Sequence, residues 1–150
     1  MPADFRGIRP GDSAALHPRL AADCHLLGGA GDARLLLSRE AALHWFLLVP
    51  DTDCVDLLDM PAGARDALMQ TAADLSLILK GPLAYPKVNV GSLGNVVPQL
   101  HVHVVGRCPG DFCWPDRVWG RPGPGKVYSA ESLETLRQML EAAKVLTRGV

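Results

Sequence analysis

The chain has 150 residues, which suits one domain, spanning 1–150, with one sizeable hydrophobic core. Hydrophobic residues make up 48% of it and charged residues 21%, which is typical of globular proteins. Its net charge of −1 argues against a nucleic-acid partner, because a protein that binds the nucleic-acid backbone carries a basic stripe.

The sequence also bears on membranes and on the cellular compartment. No apolar run of about 18 residues occurs, so we expect no membrane span and no membrane partner. The first residues lack the charged-then-apolar pattern of a signal peptide. The four cysteines are dispersed and include no Cys-x-x-Cys, which favours free thiols over a disulfide framework. We therefore expect a cytoplasmic protein.

The first half of the chain predicts a hairpin and a long helix. Residues 1–16 give mixed turn and helix signals, and residues 26–32 end in a glycine-rich turn. Two short apolar runs, 34–38 and 45–50, predict a hairpin of two buried strands. Residues 61–80 predict a helix, because their apolar side chains recur on a single helical face.

The second half predicts two strands, a loop and a last helix. The strands cover residues 87–90 and 100–105, with a turn over 91–95 between them. Residues 108–126 are rich in Pro, Gly and Trp, which indicates an ordered loop. Ser129 is suited to cap the last helix. The buried face of that helix is predicted to carry Leu133, Leu136, Leu140 and Ala143.

Polar and apolar residues alternate over 97–105, which is the period of a half-buried strand. The core face of this strand is predicted to carry Leu100, Val102 and Val104. The opposite, accessible face is predicted to carry Gln99, His101 and His103. Neighbours on one face of a strand lie about 6.6–6.8 Å apart, so the two histidines can act on one small molecule.

Two kinds of chemistry suit a histidine pair on one strand face. As a metal pair, the histidines would need a third ligand, and no Asp or Glu follows them directly. As a covalent catalyst, one imidazole would attack phosphorus, while the other binds a phosphate oxygen or protonates a leaving group. Gly91 and Gly94 favour the second, because glycine lets backbone N–H groups approach an anion closely.

Other polar and aromatic residues are predicted to have structural roles. Isolated histidines such as His17 and His25 are interpreted as structural or surface residues, and His44 as a turn or packing residue. The tryptophans Trp45, Trp114 and Trp119 are interpreted as core or dimer-interface residues. Two arginines, Arg107 and Arg117, are predicted to be solvated.

The order Asn89-x-Gly91, a glycine loop and then Gln-Leu-His-Val-His-Val-Val over 99–105 resembles the histidine triad family of nucleotide hydrolases and transferases. The signature of that family is His-φ-His-φ-His-φ-φ, where φ is apolar. The runs 43–50 and 56–59 are similar to the family's central strand and the approach to its helix, and Cys113-Trp-Pro to its downstream Trp-Pro element. The resemblance covers roughly residues 34–120.

This resemblance implies an α+β fold: an antiparallel sheet of about five strands with flanking helices, paired as a homodimer. It places the nucleophile at His101 and a phosphate and leaving-group contact at His103. Gln99 stands where the family has its first histidine, and glutamine, which carries a donor and an acceptor, suits an orienting role there. The implied reaction passes through a nucleotidyl-histidine and needs neither metal nor cofactor.

The implied substrates are adenylylated compounds and dinucleoside polyphosphates. Asn89 matches an asparagine beside the phosphate, and Gly94 and Asn95 belong to the glycine loop before the histidines. Ser38 lies near the position of a ribose-contacting Asn or Asp. Two other functions stay open: a non-catalytic nucleotide-binding module that lost turnover through Gln99, and a metal-dependent hydrolase.

Overall fold

A computed structural model describes residues 15–148 of the chain. Within them, five strands form one antiparallel sheet in the order β1-β2-β3-β5-β4. The strands are β1 Cys24–Ala30, β2 Ala33–Ser38, β3 Trp45–Pro50, β4 Lys87–Gly91 and β5 Val102–Arg107. The helices are α1 Pro18–Asp23, α2 Ala62–Lys80 and α3 Ala130–Ala142. The predicted α+β fold with a five-stranded antiparallel sheet is confirmed.

The predicted hairpin of β2 and β3 is confirmed, and its register fixes which side chains share a face. Leu35 pairs with Leu48, and Leu36 with Leu47. All four are almost completely buried, because the hairpin is covered on both faces of the sheet. An apolar run without alternation is the expected pattern for such strands.

The main core lies between one face of the sheet and helices α2 and α3. Helix α2 buries Leu68, Ala72, Leu75 and Leu79 against that face, as its periodicity predicts. Its ends are Pro61, at the N-cap, and Gly81, at the C-cap. The Ser129 hydroxyl accepts a hydrogen bond from the Ser132 N–H and caps α3 as predicted.

The predicted core face of residues 97–105 is also confirmed. Leu100, Val102 and Val104 belong to the main core. The opposite face of the sheet carries a smaller apolar cluster, in which Leu36 and Leu47 pack with Leu20 of α1. The histidines therefore lie on the side of the sheet that faces away from α2.

Strand β5 begins and ends two residues later than predicted. Its ladder with β3 ends at the pair Leu48 and Val102, and its ladder with β4 ends at the pair Gly91 and His103. Residues 99–101 find no partner strand beyond those pairs and form part of the connection that follows β4. The predicted turn over 91–95 is thus only the beginning of a longer irregular connection.

The sequence did not predict β1 or α1. Gly28 and Gly29, which are typical of turns, lie inside β1, where the C-terminal segment comes close. A Cβ at Gly28 would lie 2.5 Å from the Thr147 carbonyl oxygen, so a larger residue would not fit. Helix α1 has six residues and is capped by the His17 side chain, which accepts from the Arg19 N–H. Most of the 1–16 segment lies outside the described residues.

Within residues 15–148, no helix is long and apolar enough to cross a membrane.

Candidate active site

A cavity of about 630 Å³ lies on the face of the sheet that carries the histidines. Its lining includes Leu20, Cys24, Ser38, Leu47, His101 and His103. Both histidines are buried, with only 7% of His101 and 8% of His103 exposed, so this face is less open than the alternation suggested. The imidazole rings nearly touch, with centroids 4.9 Å apart and planes at 70°.

The flanking strands place apolar groups on both sides of His103. It pairs with Leu47 of β3 and with Gly91 of β4. Because residues paired across antiparallel strands project to the same face, a side chain at 91 would crowd this surface. The ring of Trp119 takes that space instead, since a Cβ at Gly91 would lie 3.1 Å from it.

The hydrogen bond that His101 makes through Nδ1 fixes its tautomer. Nδ1 lies 2.7 Å from the carbonyl oxygen of Gln99. A carbonyl only accepts, so Nδ1 carries the proton and Nε2 keeps its lone pair. Burial lowers the pKa of His101, although the bond with Gln99 opposes that shift. The result is a neutral imidazole with a free, basic Nε2 at neutral pH.

His103 has the complementary tautomer. The indole Nε1–H of Trp45 donates to His103 Nδ1 over 2.9 Å. Indole only donates, so Nδ1 is bare and the proton of the neutral ring lies on Nε2. Burial, reinforced by the neighbouring His101, lowers the pKa of His103 to about 3. The pair thus combines an acceptor or nucleophile at His101 Nε2 with a donor at His103 Nε2.

Two tryptophans enclose His103, and Trp45, which packs against the apolar clusters as predicted, also forms a hydrogen bond with it. The Trp45 and Trp119 rings lie 5.8 and 5.6 Å from the His103 ring, centroid to centroid. Within the described residues, the buried indole nitrogen of Trp119 has no hydrogen-bond partner. Trp45 lies 58 positions before His103, so only the register of β3 against β5 reveals their contact.

The side chain of Gln99 is bonded to the segment before α1. Its Oε1 accepts from the His17 N–H over 2.8 Å, and its Nε2 donates to the Ala15 carbonyl over 2.9 Å. Arg19, Leu20, Ala22 and Asp23 of α1, which follow directly, line the cavity. Gln99 therefore affects the site in two ways. Its backbone carbonyl binds His101, and its side-chain amide binds the segment that leads into α1, a wall of the cavity.

The prediction that Arg107 is solvated is wrong, because only 1% of its surface is exposed. Its Nε and one terminal nitrogen bond the Asp111 carboxylate at 2.8 and 3.1 Å. Its other terminal nitrogen donates to Asn89 Oδ1 over 2.9 Å. Burial alone would raise the pKa of Asp111, but Arg107 and two backbone N–H groups hold it at about 2. The ion pair compensates for the hydration that the guanidinium loses on burial.

This network also fixes the orientation of Asn89. Arginine only donates, so the Asn89 oxygen faces Arg107 and its NH₂ group points elsewhere. Asn89 pairs with Val105 and thus shares the sheet face of His103, although it is not part of the cavity lining.

The remaining predicted binding residues divide into two groups. Ser38 lines the cavity, and its hydroxyl accepts from the Glu40 N–H over 3.3 Å. Gly94 and Asn95 lie in the connection before β5, outside the cavity lining. Gly94 has a φ of 70°, a conformation that glycine adopts without strain. The structure thus brings Ser38, His101 and His103 into one cavity and leaves Gly94 and Asn95 outside it.

Charged residues at the cavity were not predicted from the sequence. Arg19, Arg39 and Arg121 contribute to its lining, together with Asp23 and Glu40. The Glu40 carboxylate accepts from the backbone N–H groups of Gly125 and Lys126, at 2.7 and 3.1 Å. It thereby holds the loop whose residues 121–123 close one side of the cavity.

Across residues 15–148, no three His, Cys, Asp or Glu side chains come together as metal ligands would.

A five-stranded antiparallel sheet with two adjoining histidines in a cavity on one face defines the class of histidine triad folds. The sequence pattern of the HIT domain family matches residues 19–110, and the chain belongs to this family. Members of the family are generally nucleotide-binding hydrolases and transferases.

Solved structures of histidine triad proteins agree. The protein from Marinobacter aquaeolei VT8 is 34% identical, with a TM-score of 0.79 over 86% of this chain and 94% of that one. The protein from Sinorhizobium meliloti 1021 is 30% identical, with a TM-score of 0.80 over 86% and 96%. The protein from Bradyrhizobium japonicum is 32% identical, with a TM-score of 0.79 over 86% and 96%. No curated protein matches the chain in sequence.

Proposed function

We propose that this protein is a nucleotide hydrolase or nucleotidyl transferase that acts on adenylylated compounds or dinucleoside polyphosphates. The observation that carries the proposal is the complementary pair of tautomers: a free Nε2 on His101 beside an Nε2–H on His103. The cavity of about 630 Å³ supports it, because pockets for small molecules span about 300–1,000 Å³.

In the proposed first step, His101 Nε2 attacks the α-phosphorus of the substrate. An N–P bond forms, and the P–O bond to the leaving group breaks, with the electron pair departing on that oxygen. The bond from Nδ1–H to the Gln99 carbonyl stabilises the positive charge that develops on the imidazole. In the second step, a water molecule attacks phosphorus, the N–P bond breaks, and a nucleoside monophosphate and a proton are released. No metal or cofactor takes part in this scheme.

The other residues of the proposed site bind and orient. His103, which is neutral at pH 7, donates its Nε2–H to a phosphate oxygen. We assign Asn89, whose oxygen is bonded to Arg107, to bind the phosphate through its NH₂ group, and Ser38, which lines the cavity, to bind the ribose. Gln99 acts by orienting. The inclusion of Gly94 and Asn95 rests on the resemblance to the family's glycine loop.

Trapping the covalent intermediate tests the proposal. We expect wild-type protein mixed with a panel of adenylylated compounds to gain the mass of one nucleotidyl group in rapid-quench mass spectrometry. The His101→Ala variant should gain none, whereas His25→Ala, whose histidine lies outside the cavity lining, should behave as wild type. If neither wild type nor His25→Ala forms an adduct or turns over any compound of the panel, the enzymatic proposal fails.

A nucleotide-binding module without turnover is the second candidate, and the position of Gln99 favours it. The first triad position carries an amide that is already bonded to the segment before α1. Calorimetric binding of adenosine monophosphate without adduct formation would identify this function.

We also propose a single domain that pairs as a homodimer along β4. Strand β4 is an edge of the sheet, and Val90 within it is 48% exposed, which is typical of a strand that pairs with another chain. Light scattering on wild type and on Val90→Lys tests this: the variant should become monomeric.

The cytoplasmic location stays a prediction, with which the four free thiols agree.

A further inference from the structure

Among the described residues, the indole of Trp45 is the group that hydrogen-bonds to the His103 side chain. Trp45 begins β3 and pairs with Val105 of β5. This pair lies two residues along from the pair of Leu47 and His103, and therefore on the same face of the sheet. From there its Nε1–H reaches His103 Nδ1 at 2.9 Å. The contact is a directed hydrogen bond as well as a packing contact, because donor and acceptor lie at the usual separation.

The indole ring of Trp45 also packs against a second tryptophan. Its ring meets that of Trp119 edge to face, with centroids 6.5 Å apart and planes at 89°. Trp119 in turn packs on Gly91, where no side chain intervenes. A rotation of the Trp45 ring would leave the imidazole nitrogen of buried His103 without its hydrogen-bond partner, which is unfavourable.

We propose that Trp45 is a positioning residue for the transfer reaction, which holds neutral His103 in the tautomer that presents Nε2–H to the substrate. The inference rests on the proposed function for the reaction, but the tautomer it assigns can be measured without any substrate. A neutral imidazole carries one proton on either nitrogen. In this cavity only a fixed donor at Nδ1 keeps that proton on Nε2, where it faces a phosphate oxygen.

Trp45 would then act on the reaction as well as pack against the apolar clusters. Loss of the indole N–H should let His103 populate the Nδ1–H tautomer, which presents a bare Nε2 to the negatively charged phosphate. The substrate would then meet a lone pair instead of a donor. Because the contact strengthens as negative charge develops on the phosphoryl oxygens, its loss should lower kcat more than it raises KM.

The test compares Trp45→Phe with Trp119→Phe. Both variants lose an indole that packs on His103, but only the first loses a hydrogen bond to it. In ¹⁵N-histidine NMR at pH 7, we expect the His103 Nδ1 resonance of wild type and Trp119→Phe to be that of an unprotonated nitrogen. In Trp45→Phe, that resonance should move towards a protonated nitrogen. Its kcat should fall about tenfold relative to Trp119→Phe, which corresponds to about 1.4 kcal/mol.

Two results overturn the inference: an unchanged His103 tautomer in Trp45→Phe, or a changed tautomer with the kcat of Trp119→Phe. If Trp45→Phe does not fold, a benzothienylalanine at position 45 replaces the N–H by sulfur with nearly the same ring shape. Failure of the proposed function appears separately, as an absence of turnover and adduct in wild type, and leaves the tautomer measurement valid.

Discussion

At the scale of single residues, the two histidines are distinguished by what their Nδ1 atoms contact. The one on His101 meets a backbone carbonyl, and the one on His103 meets an indole N–H. Two chemically identical side chains therefore present opposite groups to the cavity. We therefore make separate predictions for the two positions, although they are only two residues apart.

Replacement of His101 by alanine should abolish turnover. We expect kcat/KM to fall by several orders of magnitude, because the proposed nucleophile is lost, while the fold survives. The side chain lies outside the main core between the sheet and α2, so its removal leaves that core intact. Kinetics on one adenylylated substrate, with a thermal melt of each protein, measures both effects. Turnover at the wild-type rate by the folded variant would contradict the assignment.

Replacement of His103 should depend on whether a donor remains. Glutamine has an NH₂ group near the position of the imidazole Nε2, and alanine has none. We expect His103→Gln to keep roughly tenfold more kcat/KM than His103→Ala, since a hydrogen bond to a charged group contributes about 1.5–3 kcal/mol. Equal rates in the two variants would mean that His103 does not act by donating a hydrogen bond.

At the scale of elements, helix α1 is tied to the connection before β5 through one amide. Gln99 accepts from His17 N–H and donates to the Ala15 carbonyl, and α1 follows directly. Because leucine can do neither, Gln99→Leu should loosen this cavity wall. We expect KM to rise about tenfold and kcat to change much less, since the bond from the 99 carbonyl to His101 remains.

The control for that change is Gln138→Leu, on the exposed face of α3. It should leave both kinetic parameters at their wild-type values. A fall in kcat with unchanged KM in Gln99→Leu would instead mean that the amide acts on the chemical step.

Local patterns predicted the elements whose contacts are themselves local. Helices α2 and α3 follow from apolar spacing and from Ser129 as a cap, and the phase of 97–105 follows from strict alternation. Strand β1 was missed because Gly28 is typical of turns, and only the approach of Thr147 explains it. That approach joins residues more than a hundred positions apart, which no short pattern records.

The candidate site shows the same limit. The motif located His101 and His103, and Ser38 lines the same cavity. It did not indicate that Arg107 is buried, because no local pattern shows that Asp111 and Asn89 of the neighbouring strand both bind the guanidinium. In general, a sequence shows which groups can donate or accept, whereas the register of the strands decides which of them meet.

At the scale of the whole molecule, the sheet separates two environments. One face meets α2 and α3 and forms the main apolar core. The other face buries two histidines, an ion pair of Arg107 with Asp111, and the cavity. The second face thus holds titratable groups where a core would hold apolar ones, so the stability of the fold should depend on pH.

The direction of this dependence follows from the pKa values. An unfolded histidine titrates near 6.5, whereas burial lowers the pKa of His103 to about 3 in the folded protein and also lowers that of His101. Below pH 6.5, the unfolded chain therefore binds more protons than the folded one. The stability that these histidines contribute is complete above pH 6.5 and is lost as the pH falls towards their folded values. The Asp111 carboxyl, held at about 2, affects stability only below about pH 4.

We therefore predict that the free energy of unfolding falls between pH 6.5 and 4.5, by up to about 1.4 kcal/mol per pH unit for each buried histidine. Urea unfolding of wild type at pH 7.5, 6.0 and 5.0 measures the slope. His103→Gln, which cannot bind this proton, should show a slope that is shallower by about the contribution of one buried histidine. Gln138→Leu is the control, because its side chain is exposed on α3 and carries no titratable group. Parallel curves for wild type and His103→Gln would show that His103 is not held neutral by burial.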